Sequence, residues 1–195
     1  MNIVKNIKNI AQEVLLNESP AIENLIQLID NDFGTCVKEI YSLKGRVIVT
    51  GIGKSAIIAN KIVTTLNTIG IPAVFMHAAD AIRSDLGVIL KQDFVIGISK
   101  SGIKPEIKVH VPLLKLKRRV SKLVALVSYT NSYRSHFVFN EPIMEETCPN
   151  KWASITSAAV YFAPDDGQAL GIQGFWNFTC TGFVQNHDLI KGGIA

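Results

Sequence analysis

Residues 44–51 read KGRVIVTG, a short β-branched run that stops at a glycine. Its apolar residues are contiguous and do not alternate with polar ones. A strand of that kind has both faces covered, which is the situation of a parallel strand between helices. The pattern recurs at 71–77 (IPAVFMH), 93–99 (DFVIGIS), 122–129 (KLVALVSY) and 136–140 (HFVFN). Residues 55–69 and 105–119 lie between these runs and have helical periodicity, with Val109, Leu113 and Leu116 on one face of the second. Strands alternating with helices predict an α/β fold: a five-stranded, mostly parallel sheet flanked by helices in a three-layer sandwich.

Two amphipathic segments precede the first strand. Ile3, Ile7, Ile10, Val14 and Leu15 repeat at helical spacing over 3–16. Ile22, Leu25, Ile26, Ile29, Phe33, Val37, Ile40 and Tyr41 continue it over 21–43. These helices have little domain of their own to cover, so they are expected to pack on the sheet or on a partner subunit, giving a homodimer or homotetramer. The chain of 195 residues reads as one domain. It divides into a helical pair (1–43), an α/β core (44–160) and a Gly- and aromatic-rich last segment (161–195).

Composition narrows the function classes. The chain is 48% hydrophobic, a globular proportion, yet no run approaches the ~20 apolar residues of a membrane span. The start, MNIVKNIKNIAQEV, lacks the long apolar region of a signal peptide. Cys36, Cys148 and Cys180 are an odd number, far apart, and form neither a disulfide framework nor a Cys-rich zinc site. Both features favour the cytoplasm. The net charge of +4 owes much to LKLKRRVSK at 114–122. Without interleaved aromatics or a binding motif, that run reads as a solvated helix end rather than a nucleic-acid site.

Ligands of open parallel sheets bind at the carboxyl ends of the strands. Two such ends carry the same chemistry here: TGIGKS at 50–55 and SKSG at 99–102. Each offers small residues, hydroxyls and backbone N–H groups at the start of a helix, which together favour an anion. A nucleotide phosphate loop, G-x-x-x-x-G-K-[ST], would need glycine at 48, where Ile48 stands. A dinucleotide fingerprint is met by Gly51, Gly53 and Ala56, but the next strand ends in His77-Ala-Ala and Asp80 comes too late for a ribose. A tight turn that binds nothing would account for one loop alone, not for two that share their chemistry.

Taken together, VTGIGKSA (49–56), FMHAADAIRSDLG (75–87), ISKSGIKPEI (98–107) and ETCPN (146–150) resemble the sugar isomerase (SIS) domain family, and within it the arabinose 5-phosphate isomerases. The likeness runs from about residue 40 to 157 and weakens beyond, although Asp166, Phe178, Phe183 and His187 fall at the family's intervals. The resemblance implies a SIS-type, flavodoxin-like fold and an aldose–ketose isomerase of sugar phosphates, interconverting arabinose 5-phosphate and ribulose 5-phosphate and supplying 3-deoxy-manno-octulosonate for lipopolysaccharide or capsule.

It also implies roles. Gly51, Gly53, Ser55, Ser99, Ser101 and Gly102 would hold the phosphate, with Arg83, Thr156 and Ser157 lining the substrate site. Lys54 would lie close to the substrate. Glu106 matches the family's glutamate in S-x-S-G-x-x-x-E and is the candidate base, although a first-turn Glu also complements a helix dipole. Glu146 matches that of E-x-C-P, with Glu145 beside it. His187 is the candidate for ring opening. His77 matches a strand-end histidine that binds a divalent metal such as zinc in relatives; one histidine is not a site, and no cofactor is expected to be required.

Four departures from the family's pattern bear on activity. Arg83 replaces a histidine, Lys104 replaces a phosphate-side serine, ASITSAA at 153–159 loses hydroxyls, and HDLIKGG at 187–193 replaces H-P-G-G. The alternative function is therefore a regulatory or catalytically impaired sugar-phosphate-binding module. A dinucleotide enzyme is the weaker third reading.

Overall fold

The computed structural model describes residues 3–83, 85–99, 122–127, 137–140 and Gly167. Five strands form one parallel sheet: β1 (Val47–Gly51), β2 (Ala73–His77), β3 (Phe94–Ser99), β4 (Lys122–Val127) and β5 (Phe137–Asn140), in the order β2-β1-β3-β4-β5. The strands run parallel and fall within the apolar runs, as expected. Strands β1 and β3 are buried throughout, as a central parallel strand requires.

Side chains alternate between the two faces of a strand, and the two faces have separate cores. Val47 and Val49 of β1 and Phe94, Ile96 and Ile98 of β3 meet α2 (Asn31–Tyr41) and α3 (Lys54–Thr68). Ile58, Ile62 and Leu66 of α3 and Cys36, Val37 and Ile40 of α2 fill this layer. Burial stabilises by roughly 1.5–3 kcal/mol for each large aliphatic side chain. On the other face Ile48, Val95, Met76 and Leu123 pack with Ala81 and Ile89. Ala81 belongs to α4 (Ala78–Arg83), which a 3-10 turn at Asp85–Val88 follows.

This division follows from handedness. The chain passes from β1 through α3 to β2 in one direction, then from β2 past β1 to β3 in the other. Right-handed crossovers put the intervening segments on opposite faces. The reversal falls between β1 and β3, so a crevice opens at their carboxyl ends.

The expected pair of helices precedes the sheet, but with other bounds than 3–16 and 21–43. α1 runs from Ile3 to Glu23, through Pro20, and a 3-10 turn covers Asn24–Leu28. A new helix then begins at Asn31, because the Asp30 carboxylate accepts a 2.9 Å hydrogen bond from the Phe33 amide. That N-cap interrupts what the apolar spacing presents as one helix over 21–43. α2 packs on the sheet as expected. α1 and the turn after it leave large apolar side chains in solvent, Leu16 at 72% and Ile26 at 70% exposure among them. The helix expected over 105–119 and the last segment, 161–195, fall outside the described residues, Gly167 apart.

Candidate functional site at the carboxyl ends of the strands

Gly51 closes β1 and is buried; Gly53 begins the turn into α3. The two glycines are required for different reasons. A Cβ on Gly51 would stand 2.6 Å from the Ser55 carbonyl oxygen and 3.1 Å from the Ala56 amide nitrogen, so only glycine lets the first turn of α3 sit back against the strand end. Gly53 has φ 61° and ψ −126°, a backbone conformation that side chains resist. A Cβ there would meet nothing within 4 Å. The loop is therefore tight beneath and open above.

No side chain caps the start of α3. Inside the turn, the Ala56 amide donates to the Gly53 carbonyl at 3.0 Å. Exposed Lys54 and half-buried Ser55 follow in the helix's first turn. An uncapped start with a lysine, a hydroxyl and a positive helix dipole suits an anion.

Two further strand ends face this loop. In register, Gly51 stands opposite His77 of β2, and Thr50 opposite Gly97 of β3, two residues before Ser99. Ser99 is 2% exposed. The His77 side chain is about one-third exposed, at 37%, with Nδ1 3.6 Å from Asp80 Oδ2. Its ring meets that of Phe75 edge-on, 6.2 Å between centroids. Its Nδ1 is buried and has no hydrogen-bond partner. Arg83 closes α4, the short helix that follows β2.

The fold thus gathers Gly51, Gly53, Lys54, Ser55, His77 and Ser99, out of the expected site residues, at the carboxyl ends of three neighbouring strands. Ser101, Gly102, Lys104, Glu106, Glu146, Thr156, Ser157 and His187 lie outside the described residues. Among the described residues no three His, Cys, Asp or Glu side chains come together to hold a metal; the acidic neighbour of His77 is Asp80. No described helix is long and apolar enough to cross a membrane. Cys36 takes no part: it lies in the α2 core, and burial, helped by Glu39 and opposed by Lys122, pushes its thiol up to about 12.

One residue here escaped sequence reasoning. Thr50 is the sole polar residue of VIVTG, 4% exposed, and its hydroxyl lacks any hydrogen-bond partner. The available signal was a polar residue in a strand whose neighbours promise a continuous core.

Residues 39–161 match the SIS domain family model, and the chain belongs to that family. An arabinose 5-phosphate isomerase of Pseudomonas aeruginosa is 32% identical over 195 residues, covering 96% of this chain and 58% of the relative. One of Yersinia pestis is 34% identical over 181 residues, 90% of this chain and 54% of the relative. The chain therefore spans little more than half the length of these relatives. Among solved structures, an Escherichia coli CFT073 protein in complex with arabinose 5-phosphate superposes with a TM-score of 0.87 at 30% identity, covering 96% of this chain and 100% of that one. A Listeria monocytogenes protein, a sugar-phosphate isomerase by its description, superposes at 0.88 with 26% identity, over 94% and 97% of the two chains.

Proposed function

We propose that the chain is an aldose–ketose isomerase interconverting D-arabinose 5-phosphate and D-ribulose 5-phosphate, upstream of 3-deoxy-manno-octulosonate in lipopolysaccharide or capsule assembly. The observation that carries this is the pairing of an uncapped, open G-x-G-K-S turn after β1 with Ser99 at the end of β3, on either side of the crevice between them. The neighbour solved with arabinose 5-phosphate shares this fold over its whole length, and the full-length relatives are named for the same sugar phosphate.

In this reading Ser55, Ser99, Ser101 and the amides around Gly51, Gly53 and Gly102 hold the phosphate, and Arg83, Thr156 and Ser157 line the sugar. Ring opening removes the proton of the anomeric hydroxyl, so that the C1 carbonyl forms as the bond from C1 to the ring oxygen breaks and that oxygen is protonated; His187 is the assigned shuttle. Glu106 then takes the C2 proton, the electron pair forms the C1–C2 double bond as the C1 carbonyl oxygen becomes the enediolate oxygen, and the proton is delivered to C1 while the O2 hydroxyl proton passes to O1, leaving the ketone at C2. Lys54 steadies the negative oxygen that develops between the two steps. Glu146 completes the site, which needs no cofactor; His77 is the one assigned ligand should a divalent metal such as zinc bind. The whole chain forms a single domain. It works in the cytoplasm as a homo-oligomer, where a second copy covers the exposed apolar face of α1.

A second reading has a specific basis. Arg83, Lys104 and the HDLIKGG tail replace groups that the family's pattern carries at these positions, so a module that binds sugar phosphate without converting it is the alternative. Purified protein incubated with arabinose 5-phosphate decides between them, with ribulose 5-phosphate followed by NMR. Turnover that disappears in Glu106→Gln and His187→Ala supports the isomerase. Ligand-induced thermal stabilisation without turnover supports the binding module, and neither response refutes both.

A further inference from the structure

We infer that Thr50 is a ligand-positioning residue of this site, its hydroxyl unsatisfied in the free protein and satisfied by an oxygen of the bound sugar phosphate. The inference rests on the sugar-phosphate reading above and adds to it a residue one position before the phosphate loop.

Three polar or charged residues are buried among those described: Thr50, Asp93 and Ser99. Asp93, at the amino ends of the strands, takes hydrogen bonds from Arg46 and Leu90. The Thr50 hydroxyl, at the carboxyl ends, has none although only 4% of the residue is exposed. A buried hydroxyl without a partner destabilises a fold, whereas valine has nearly the same shape and no polar atom. The rest of β1 is apolar up to its closing glycine, so threonine is the costly choice at this position.

The surroundings suit a ligand. Strand alternation puts Thr50 on the sheet face that carries Ile48, and Gly97 and Ser99 on the matching face of β3. Gly97 pairs with Thr50 on one side and Ala125 on the other, so two small residues continue the row beyond the hydroxyl. A Cβ built on Gly97 would find the Val124 carbonyl oxygen at 3.8 Å and the Thr50 methyl carbon at 4.0 Å, ordinary contacts with room to spare. Rotation about the Thr50 side-chain bond exchanges methyl and hydroxyl. It brings the oxygen over Gly97, toward the end of β3 where Ser99 lies. The missing side chain at 97 is what leaves space for that exchange.

The test compares wild type with Thr50→Val and Thr50→Ser in thermal melts with and without arabinose 5-phosphate. The ligand-free Thr50→Val protein is expected to melt about 2–4 °C above wild type, because an unpaired buried hydroxyl has gone. Its Kd for arabinose 5-phosphate is expected to rise about 3- to 10-fold, one neutral hydrogen bond's worth. Thr50→Ser, which keeps the hydroxyl, is expected to stay within about 3-fold of wild type in Kd. Inorganic phosphate is the second probe: an equal loss of affinity assigns the contact to the phosphate, and a loss confined to the sugar phosphate assigns it to a sugar oxygen.

Opposite signs for stability and affinity are what a merely structural hydroxyl cannot produce. A Thr50→Val protein that melts lower and binds less tightly makes the hydroxyl structural and overturns the inference. Unchanged affinity makes it idle and overturns it equally, leaving the sugar-phosphate reading intact. A wild type that does not respond to arabinose 5-phosphate refutes that reading and the inference with it.

Discussion

The two ends of the sheet treat their polar groups in opposite ways. At the amino ends Arg46 is paired with Asp93 and Lys122 with Glu39, each across elements. The Asp93 carboxylate, fully buried, accepts from the Arg46 amide and guanidinium at 3.0 Å each and from the Leu90 amide at 2.9 Å, clamping β1 to β3. The same guanidinium donates to the Val88 carbonyl at 2.9 Å. Asn67, near the end of α3, bonds both the amide and the carbonyl of Ala73 and so fastens the edge strand β2. Lys122, opening β4, is paired with Oε1 of Glu39 in α2, although the second oxygen of that carboxylate has no partner. At the carboxyl ends the Thr50 hydroxyl and the His77 Nδ1 have no hydrogen-bond partner, α3 is uncapped, and Gly53 holds a conformation other residues resist. The amino ends hold the fold together, whereas at the carboxyl ends the Thr50 hydroxyl and His77 Nδ1 keep hydrogen-bonding capacity for something that arrives from outside.

The sharpest way to break this contrast is at Asp93. Asp93→Ala strands a guanidinium and two backbone amides, and should lower unfolding stability by about 3–5 kcal/mol in urea titrations. Whatever remains folded should still bind sugar phosphate. At the other end, Lys54→Met should lower kcat/KM by about 10²–10³-fold with little change in melting temperature. If Lys54→Met unfolds the protein, or Asp93→Ala abolishes binding in the folded fraction, the division between the ends is wrong.

Asn67→Ala is a smaller probe. It should cost about 1–2 kcal/mol and speed hydrogen exchange at the Ala73 amide, with the site untouched. Acid titration sharpens the amino-end picture further. Burial works against the Asp93 charge, but hydrogen bonds from Arg46 and from the Leu90 and Arg46 amides outweigh it and hold its carboxyl below the usual carboxylate value. A depressed folded-state value means that this stability is fully present above the unfolded-state pKa of about 3.9 and is lost as pH falls below it. Asp93→Asn should flatten that part of the stability–pH curve. The smallest effect is expected at Cys36, whose thiol burial raises to about 12. Peptide mapping after alkylation at pH 8 should find it at least about 10³-fold slower to react than in unfolded protein.

These contrasts differ in how far the sequence reveals them. The alternation of apolar runs with helical segments was legible, and so were the strand positions, because contiguous β-branched residues have few other uses. Gly51 and Gly53 were legible as a loop, although only the three-dimensional structure separates a close approach at one from a positive φ at the other. Asp30 as a helix cap was not read, since the apolar spacing runs straight across it. α4 was missed for the opposite reason, being too short to show a period. Asp93 and Thr50 depend on parallel register, which joins residues 47 positions apart, and no local pattern reports that. The identities of Glu106, Glu146 and His187 as site residues came from family resemblance, and their placement lies outside the described residues.

The most direct measurement is a crystal structure of the protein grown with arabinose 5-phosphate. The phosphate should lie between residues 51–55 and 99–102, at the carboxyl ends of β1 and β3, with the sugar extending across the crevice between them. A sugar phosphate seated at the amino ends, or on a face of the sheet away from both loops, would contradict the assignment of function to the carboxyl ends.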